Sequence, residues 1–125
     1  MSGVIFIIKY KNGIILQKRT SDYQRFPSQW TTMGGAIEVT DETVEAAAYR
    51  ELAEELGINI LLEYVGDYTF NFEIPETLPV FMGEIDDLSK ISLGEGCGFA
   101  VFGKYELYKV EDENIRKSIK EIMKW

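Results

Sequence analysis

The chain has 125 residues, of which 46% are hydrophobic and 27% are charged, a composition typical of a globular domain. Its formal net charge of −8 argues against nonspecific binding to nucleic acid, because phosphates attract basic proteins. No apolar run is long enough for a membrane-spanning helix, and the start lacks the basic region and cleavage site of a signal peptide. We therefore expect one domain, residues 1–125, that does not enter a membrane.

The cysteine and histidine counts exclude several chemistries. A single cysteine, Cys97, cannot form an intrachain disulfide and fits a reducing, cytoplasmic location. The chain has no histidine, which excludes a Ser-His-Asp triad and histidine-ligated zinc. It also removes the usual base for a nucleophilic cysteine.

The chain opens with a predicted β-hairpin. Residues 4–10 and 14–17 are apolar and β-branched, which favours strands. Asn12-Gly13 lies between them, and this dipeptide is typical of a type I′ turn because both central residues need a positive φ.

A polar loop over residues 20–29 follows the hairpin and offers candidates for binding a substrate. Lys18, Arg19 and Arg25 could bind phosphate oxygens, and the alternative is exposed charge on a strand end and a loop. Tyr23, Phe26 and Trp30 could stack on a nucleobase, and the alternative is packing in the core or within the loop.

The centre of the chain predicts a helix over residues 42–56, which contain neither proline nor glycine. Asp41 or Thr43 can cap its start, and Gly57 fits the left-handed residue beyond its end. At about 100° per residue, one face of this helix is apolar and another carries a group of carboxylates.

The carboxylates are Glu51, Glu54 and Glu55, and like charges on one helix face repel one another. Arg50 can pair with Glu54 but cannot neutralise all three. A divalent ion would do so, and oxygen ligands suit Mg²⁺ or Mn²⁺. The alternative is a solvated acidic face.

This segment resembles the box of the Nudix hydrolase family, Gly-x5-Glu-x7-Arg-Glu-U-x-Glu-Glu-x-Gly-U, in which U is a bulky apolar residue. The matching residues are Gly35, Glu42, Arg50, Glu51, Leu52, Glu54, Glu55, Gly57 and Ile58. Gly35 and Glu42 are separated by six residues instead of five. The extra residue lies within 39–41, before the helix, where a loop can absorb it.

The resemblance implies metal ligands and a fold. Glu51, Glu55 and the carbonyl of Gly35 are implied to ligate the ion, and Glu54 to hold it directly or through water. Arg50 is implied to orient the glutamates. The implied fold is an α/β/α sandwich with a mixed, partly antiparallel sheet, which agrees with the predicted order of helices and strands.

The implied activity is hydrolysis of a pyrophosphate bond, with Mg²⁺ or Mn²⁺ as cofactor. The substrate would be a nucleoside diphosphate linked to another group, such as a nucleoside triphosphate, a nucleotide sugar or ADP-ribose. The general base is Glu54 or Glu95, because Glu95 resembles a loop glutamate of many Nudix enzymes. The alternative is a Nudix-like sensor domain that binds a nucleotide without cleaving it.

After the box the sequence predicts strands over 58–63, 64–73, 78–85 and 99–102, with a break at Gly66-Asp67 and a turn over 75–79. The strand around Phe70 is, with the loop over 20–29, the predicted determinant of substrate choice. These apolar strands could also pair with a second chain in a homodimer. An amphipathic helix over 113–125, capped by Asp112, is expected to cover the sheet opposite the box helix.

Overall fold

The computed structural model describes residues 2–94 and 98–125, so Glu95 and Cys97 lie outside the described residues. The strands are β1 (Gly3–Tyr10), β2 (Gly13–Lys18), β3 (Trp30–Thr31), β4 (Met33–Ala36), β5 (Glu63–Phe70), β6 (Glu76–Glu84) and β7 (Gly98–Gly103). The α-helices are α1 (Val44–Leu56) and α2 (Glu113–Met123), and short 3₁₀ helices span Leu88–Lys90 and Lys104–Lys109.

The N-terminal hairpin forms as predicted, but its turn lies one residue earlier. Tyr10 pairs with Gly13, so Lys11 and Asn12 are the central turn residues. Of these two, only Lys11 has a positive φ, 53°. A type I′ turn needs a positive φ at both central positions, so the predicted type I′ turn is wrong. A glycine is needed at position 13 for close packing instead, because a Cβ there would lie 2.9 Å from the Phe102 carbonyl oxygen.

The sheet is mixed and splits at its centre. β1 pairs in parallel with β6 along one edge, and its other edge is shared by β2 and β4. β2 pairs with β7 along one edge and shares its other edge between β1 and β3. β1 and β2 therefore diverge, and the segment β3–β4 fills the gap between them. This wedge places Gly34 and Gly35 inside the sheet.

One helix covers each face of this sheet. Val4, Phe6 and Ile8 of β1 pack in the cluster that includes α1, whereas Ile5 and Ile7 pack in the cluster that includes α2. The alternation follows from the two-residue period of a strand. The predicted α/β/α sandwich with a mixed sheet is therefore confirmed.

The middle of the chain corrects two predicted strand boundaries. Residues 58–62 form no strand, and Ile58 and Leu62 instead bury their side chains in the cluster of α1. β5 runs through Gly66 without the predicted break. A register shift between Tyr64 and Gly66 accommodates the φ of 139° at the glycine, as β-bulges do.

The predicted turn over 75–79 is also wrong, because β6 already begins at Glu76 and contains Pro79. Pro79 comes one residue before Val80, which forms the first pair with β1. It therefore lies where the edge towards β1 is still open, and a residue without an N–H is tolerated there.

The C-terminal helix begins where the sequence predicts. The side chain of Asp112 accepts a hydrogen bond from the N–H of Ile115 at 2.9 Å. Among the described residues, no helix combines the length and the apolar character needed to cross a membrane.

We expect Gly13→Ala to destabilise the protein by about 1–3 kcal/mol, the usual cost of overpacking an interior. The new Cβ would lie 2.6 Å from Val101 Cγ1 and 2.9 Å from the Phe102 carbonyl oxygen, which the strand ladder holds in place. Gly98→Ala is the matched control, because a Cβ there meets no described atom within 4 Å. Urea unfolding measures both variants, and equal stabilities would contradict this account of Gly13.

Candidate active site

Local sequence defines both ends of α1. The Thr43 hydroxyl accepts a hydrogen bond from the N–H of Ala46 at 3.0 Å, so Thr43, one of the two predicted caps, begins the helix. Gly57 adopts the predicted left-handed conformation with a φ of 64°, and its N–H bonds to the carbonyl of Ala53. The helix is therefore fixed in register, and the directions of its side chains follow.

The carboxylates of α1 divide into a buried pair and an exposed one. Glu51 is 7% exposed and Glu55 is 4% exposed, whereas 52% of the Glu54 side chain is exposed. Burying a carboxylate costs free energy unless cations or donors compensate it. A solvated acidic face therefore does not describe Glu51 and Glu55, and their burial points to a functional role.

The glycine pair lets Glu51 approach the backbone of β4. Gly35 pairs with Val4 and faces α1, and a Cβ on Gly35 would overlap the carboxylate of Glu51. A Cβ on Gly34 would overlap the carbonyl oxygen of Val4. The absence of a side chain at both glycines is thus a steric requirement of this fold.

The carbonyl of Gly35 faces β1 instead of α1. Its oxygen would lie 2.9 Å from a Cβ on Gly3. Successive carbonyls of a strand point to opposite edges, so those of Gly34 and Ala36 lie on the other edge. There the Ala36 carbonyl accepts a hydrogen bond from Arg50 Nη2 at 2.9 Å. The predicted ligand role of the Gly35 carbonyl therefore does not match its direction.

Arg50 lies at the centre of an ion-pair network. It donates to Glu51 at 2.9 Å and, as predicted, to Glu54 at 3.2 Å. Its Nε and Nη2 also donate to the two carboxylate oxygens of Asp41, each at 2.9 Å. Hydrogen bonding to Asp41, and then to Glu51, outweighs burial and raises the pKa of Arg50 well above its usual range. The sequence offered Asp41 only as a helix cap, and its pairing with Arg50 was missed.

A cavity of about 340 Å³ opens beside the glycine pair, and Arg19 and Arg25 line it. Arg19 donates to Thr31 Oγ1 at 3.3 Å and lies over the ring of Tyr23 at 4.7 Å. Burial lowers the pKa of Arg19, while Tyr23 and Glu55 oppose that shift. Both predicted arginines therefore line the cavity, and Arg19 also interacts with the buried carboxylate of Glu55.

The aromatic wall of the cavity comes from Phe26 and Phe72. Their ring centroids are 5.6 Å apart, and the Arg25 guanidinium lies 5.0 Å from the Phe72 ring while bonding to Glu76 at 2.8 Å. Phe70 is fully buried in the core, and its ring stacks on that of Phe72 with the centroids 5.7 Å apart. The predicted substrate contact at Phe70 does not match this burial, and Phe72 is the ring that lines the cavity.

Two other predicted substrate residues do not line this cavity within the described part of the chain. Lys18 lies over the ring of Trp30 at 6.0 Å, and Trp30 packs with the cluster of α2. Tyr23 contacts Arg19 and so supports a lining residue.

The predicted metal ligands are brought together only in part. Among residues 2–94 and 98–125, no three carboxylate, imidazole or thiol side chains form a ready metal site. Glu51 and Glu55 share the buried face, whereas Glu54 extends to solvent and Arg50. This donor set still fits Mg²⁺, which usually takes one or two carboxylates together with substrate phosphates and waters.

Glu95, the second candidate base, lies outside the described residues. The chain before it is fixed to α1, because the N–H of Gly94 donates to the carbonyl of Glu55 at 2.9 Å. A Cβ on Gly94 would overlap the carbonyl oxygen of Glu54. A glycine is therefore needed where this segment meets the box helix.

The fold and the box define a family. The profile of the NUDIX domain matches residues 2–123, and the chain belongs to this family. Isopentenyl-diphosphate Delta-isomerase 2 from Photorhabdus laumondii is 31% identical over 97 residues, which are 73% of this chain and 55% of that protein. Nucleoside triphosphatase NudI from Escherichia coli is 37% identical over 68 residues, which are 54% of this chain and 48% of that protein. The chain thus spans about half the length of these curated relatives.

Solved structures share the same fold. The MutT protein from Methanosarcina mazei Go1 matches 98% of this chain and 91% of its own, with a TM-score of 0.79 and 19% identity. The NUDIX domain of Shewanella oneidensis NrtR, complexed with ADP ribose, matches 98% of this chain and 84% of its own, with a TM-score of 0.79 and 13% identity. At these identities the likeness concerns the fold alone.

The contact between Asp41 and Arg50 should make stability depend on pH. Hydrogen bonds from Arg50, and then from the backbone of Glu38, lower the pKa of Asp41 below its ordinary value of 3.8. The stabilisation is therefore complete above that value and is lost as the pH falls through the lower folded-state pKa. We expect the difference in free energy of unfolding between wild type and Asp41→Asn to shrink in this acid range.

Urea unfolding at a series of pH values, from about 7 downwards, measures this difference. Glu45→Gln, on the exposed side of α1, corrects for the loss of one negative charge. A difference that stays constant through the acid range would contradict the assignment.

Proposed function

We propose that the protein hydrolyses a pyrophosphate bond in a nucleoside diphosphate linked to another group, with Mg²⁺ or Mn²⁺ as cofactor. One observation carries the proposal: two residues that line the cavity also adjoin the buried pair, because Gly35 lies against the carboxylate of Glu51 and the charge of Arg19 acts on Glu55. The carboxylates alone would repel a polyphosphate, and the arginines alone would repel a cation. A polyphosphate with its divalent ion is complementary to both groups.

Different residues of the chain bind the divalent ion and the phosphate oxygens. Glu51 and Glu55 would hold the ion, together with the carbonyl of Gly34 on the strand edge opposite the Gly35 oxygen. When bound, the ion offsets phosphate charge and lowers the pKa of a water. Arg19 donates to phosphate oxygens, and Arg50 orients Glu51 through the 2.9 Å hydrogen bond.

Two glutamates are candidates for the general base. Glu54 is exposed and is held by Arg50, while Glu95 directly follows the glycine that bonds to α1. A base must reach the attacking water to within about 2.6–3.2 Å. The pH dependence of kcat in Glu54→Gln and Glu95→Gln tests the two roles, because only the variant of the base loses the titration that controls proton acceptance.

The aromatic wall supports a nucleotide as the substrate. The rings of Phe26 and Phe72 can pack on a nucleobase, and Arg25 and Glu76 at the rim supply polar groups. The two curated relatives are named for different reactions, an isomerisation of isopentenyl diphosphate and a hydrolysis of nucleoside triphosphates, but both names specify a compound with linked phosphates. Isopentenyl diphosphate therefore belongs in the substrate panel beside the nucleotides.

A nucleotide sensor that does not cleave its ligand is the second candidate. It is favoured by the absence of a ready three-ligand metal site among the described residues. It is opposed by the burial of Glu51 and Glu55, because a pure binder of phosphates gains nothing from two buried negative charges.

The proposal includes a cytoplasmic location and a homodimer. The single cysteine suits a reducing compartment. Tyr64 and Val65 are exposed on β5, which pairs with β6 alone among the described strands, so this edge could meet a second chain.

We expect Glu55→Gln to lower turnover by orders of magnitude while the fold is kept, because the amide removes a charge needed for the ion. The measurement is a Mg²⁺-dependent hydrolysis screen over nucleoside triphosphates, ADP-ribose, nucleotide sugars and isopentenyl diphosphate. Glu45→Gln, exposed on the same helix, is the matched control and should keep wild-type turnover.

Near-normal turnover by Glu55→Gln would rule out its assignment as a metal ligand. No turnover of any compound by the wild type, together with a nucleotide that raises the melting temperature, would favour the sensor instead.

We expect Phe72→Ala to raise KM for a nucleotide about tenfold with little change in kcat, since stacking on a base contributes about 1–3 kcal/mol. Inorganic triphosphate, which has no base, should bind equally well to both proteins. Ile74→Ala, an exposed apolar residue two positions further on, is the control. A fall in kcat with KM unchanged would argue against a base-binding role.

A further inference from the structure

The turn that precedes α1 brings the carboxylate of Asp41 to Arg50. The N–H of Asp41 donates to the carbonyl of Glu38 at 3.0 Å, and the N–H of Glu38 donates back to Asp41 Oδ2 at 2.8 Å. This closed turn directs the Asp41 side chain inward, where only 6% of it is exposed. Glu42, the residue that matches the box glutamate, is exposed.

The contact between Asp41 and Arg50 fixes the plane of the guanidinium. Nε donates to Oδ1 and Nη2 donates to Oδ2, both at 2.9 Å, which is the bidentate arrangement of an arginine and a carboxylate. With this end held, Nη1 is directed to Glu51 Oε1 at 2.9 Å and Nη2 also reaches the carbonyl of Ala36. Arg50 therefore connects the loop before α1, strand β4 and the buried carboxylate of Glu51 by hydrogen bonds of fixed direction.

Glu42 takes no part in this network. Within the described residues, the carboxylates that form ion pairs with Arg50 belong to Glu38, Asp41, Glu51 and Glu54. Glu38 is the most distant of them, at 3.5 Å. The bidentate contact comes from Asp41 alone.

We propose that Asp41, rather than the box-matching Glu42, is the positioning residue of this site. Asp41 holds Arg50, and Arg50 holds the carboxylate of Glu51 against Gly35. The turn over residues 38–41 directs the anchoring carboxylate of Asp41 towards Arg50. The inference rests on the proposed function, in which Glu51 binds a divalent ion.

Asp41→Asn keeps the size of the side chain and removes its charge, so Arg50 loses its bidentate ionic partner and keeps its pairs with the glutamates. Changes to residues that orient metal ligands typically cost 10–100-fold in metal affinity or activity. We expect Asp41→Asn to lower the affinity for Mn²⁺ and the kcat of hydrolysis by such a factor. KM should change by less than about threefold, because Asp41 does not line the substrate cavity among the described residues.

Glu42→Gln is the matched control, because it neutralises the adjacent carboxylate and leaves the network of Arg50 in place. The measurements are Mn²⁺ affinity by calorimetry, kcat and KM, and the melting temperature of each protein. The NMR signal of the Arg50 Nε–H adds a readout that needs no metal. It should be protected from exchange in the wild type and in Glu42→Gln, and it should lose that protection in Asp41→Asn.

The outcomes separate the inference from the function beneath it. An Asp41→Asn protein with wild-type Mn²⁺ affinity and kcat would overturn the inference alone, as would an equal loss in Glu42→Gln. If Asp41→Asn lowers the melting temperature but leaves the Mn²⁺ affinity unchanged, Asp41 has only a structural role, and the inference is again overturned. A wild type that neither binds Mn²⁺ nor hydrolyses any substrate would overturn the proposed function and the inference together.

Discussion

The burial of Glu51 and Glu55 is the constraint on which the rest of the site depends. Two carboxylates on one helix face repel each other, and their removal from water raises that cost. The surroundings compensate for it with cations: Arg50 bonds directly to Glu51, and the charge of Arg19 acts on Glu55. The absence of a side chain at Gly35 gives the Glu51 carboxylate its space. A site with this balance favours a ligand that brings positive and negative charge together.

The split in the sheet explains why such a site can form at all. Because β1 and β2 diverge, the β3–β4 wedge enters the gap and carries the two glycines under α1. The cavity opens beside this wedge and receives its arginines and aromatic rings from segments that are far apart in the chain. The fold thus places the box of α1 next to a cavity whose walls come from other parts of the chain.

Local patterns in the sequence were sufficient for α1, its caps and the division of the sheet between two helices. These features depend on spacings of three or four residues in a helix and of two in a strand, which the sequence states directly. The strand through Gly66 and the strand that contains Pro79 were mispredicted, since a bulge and an open edge tolerate residues that usually end strands.

The sequence by itself determined the family, the register of α1 and the acidic composition of its face. Only the tertiary structure decided which of those carboxylates are buried, that Phe72 instead of Phe70 lines the cavity, and that Asp41 anchors Arg50. The physical reason is that helix spacing fixes directions relative to the helix axis alone. Whether a side chain of α1 is buried or paired depends on which residues of the sheet and of the preceding loop face it. Those residues are far from α1 in the sequence or follow no local pattern.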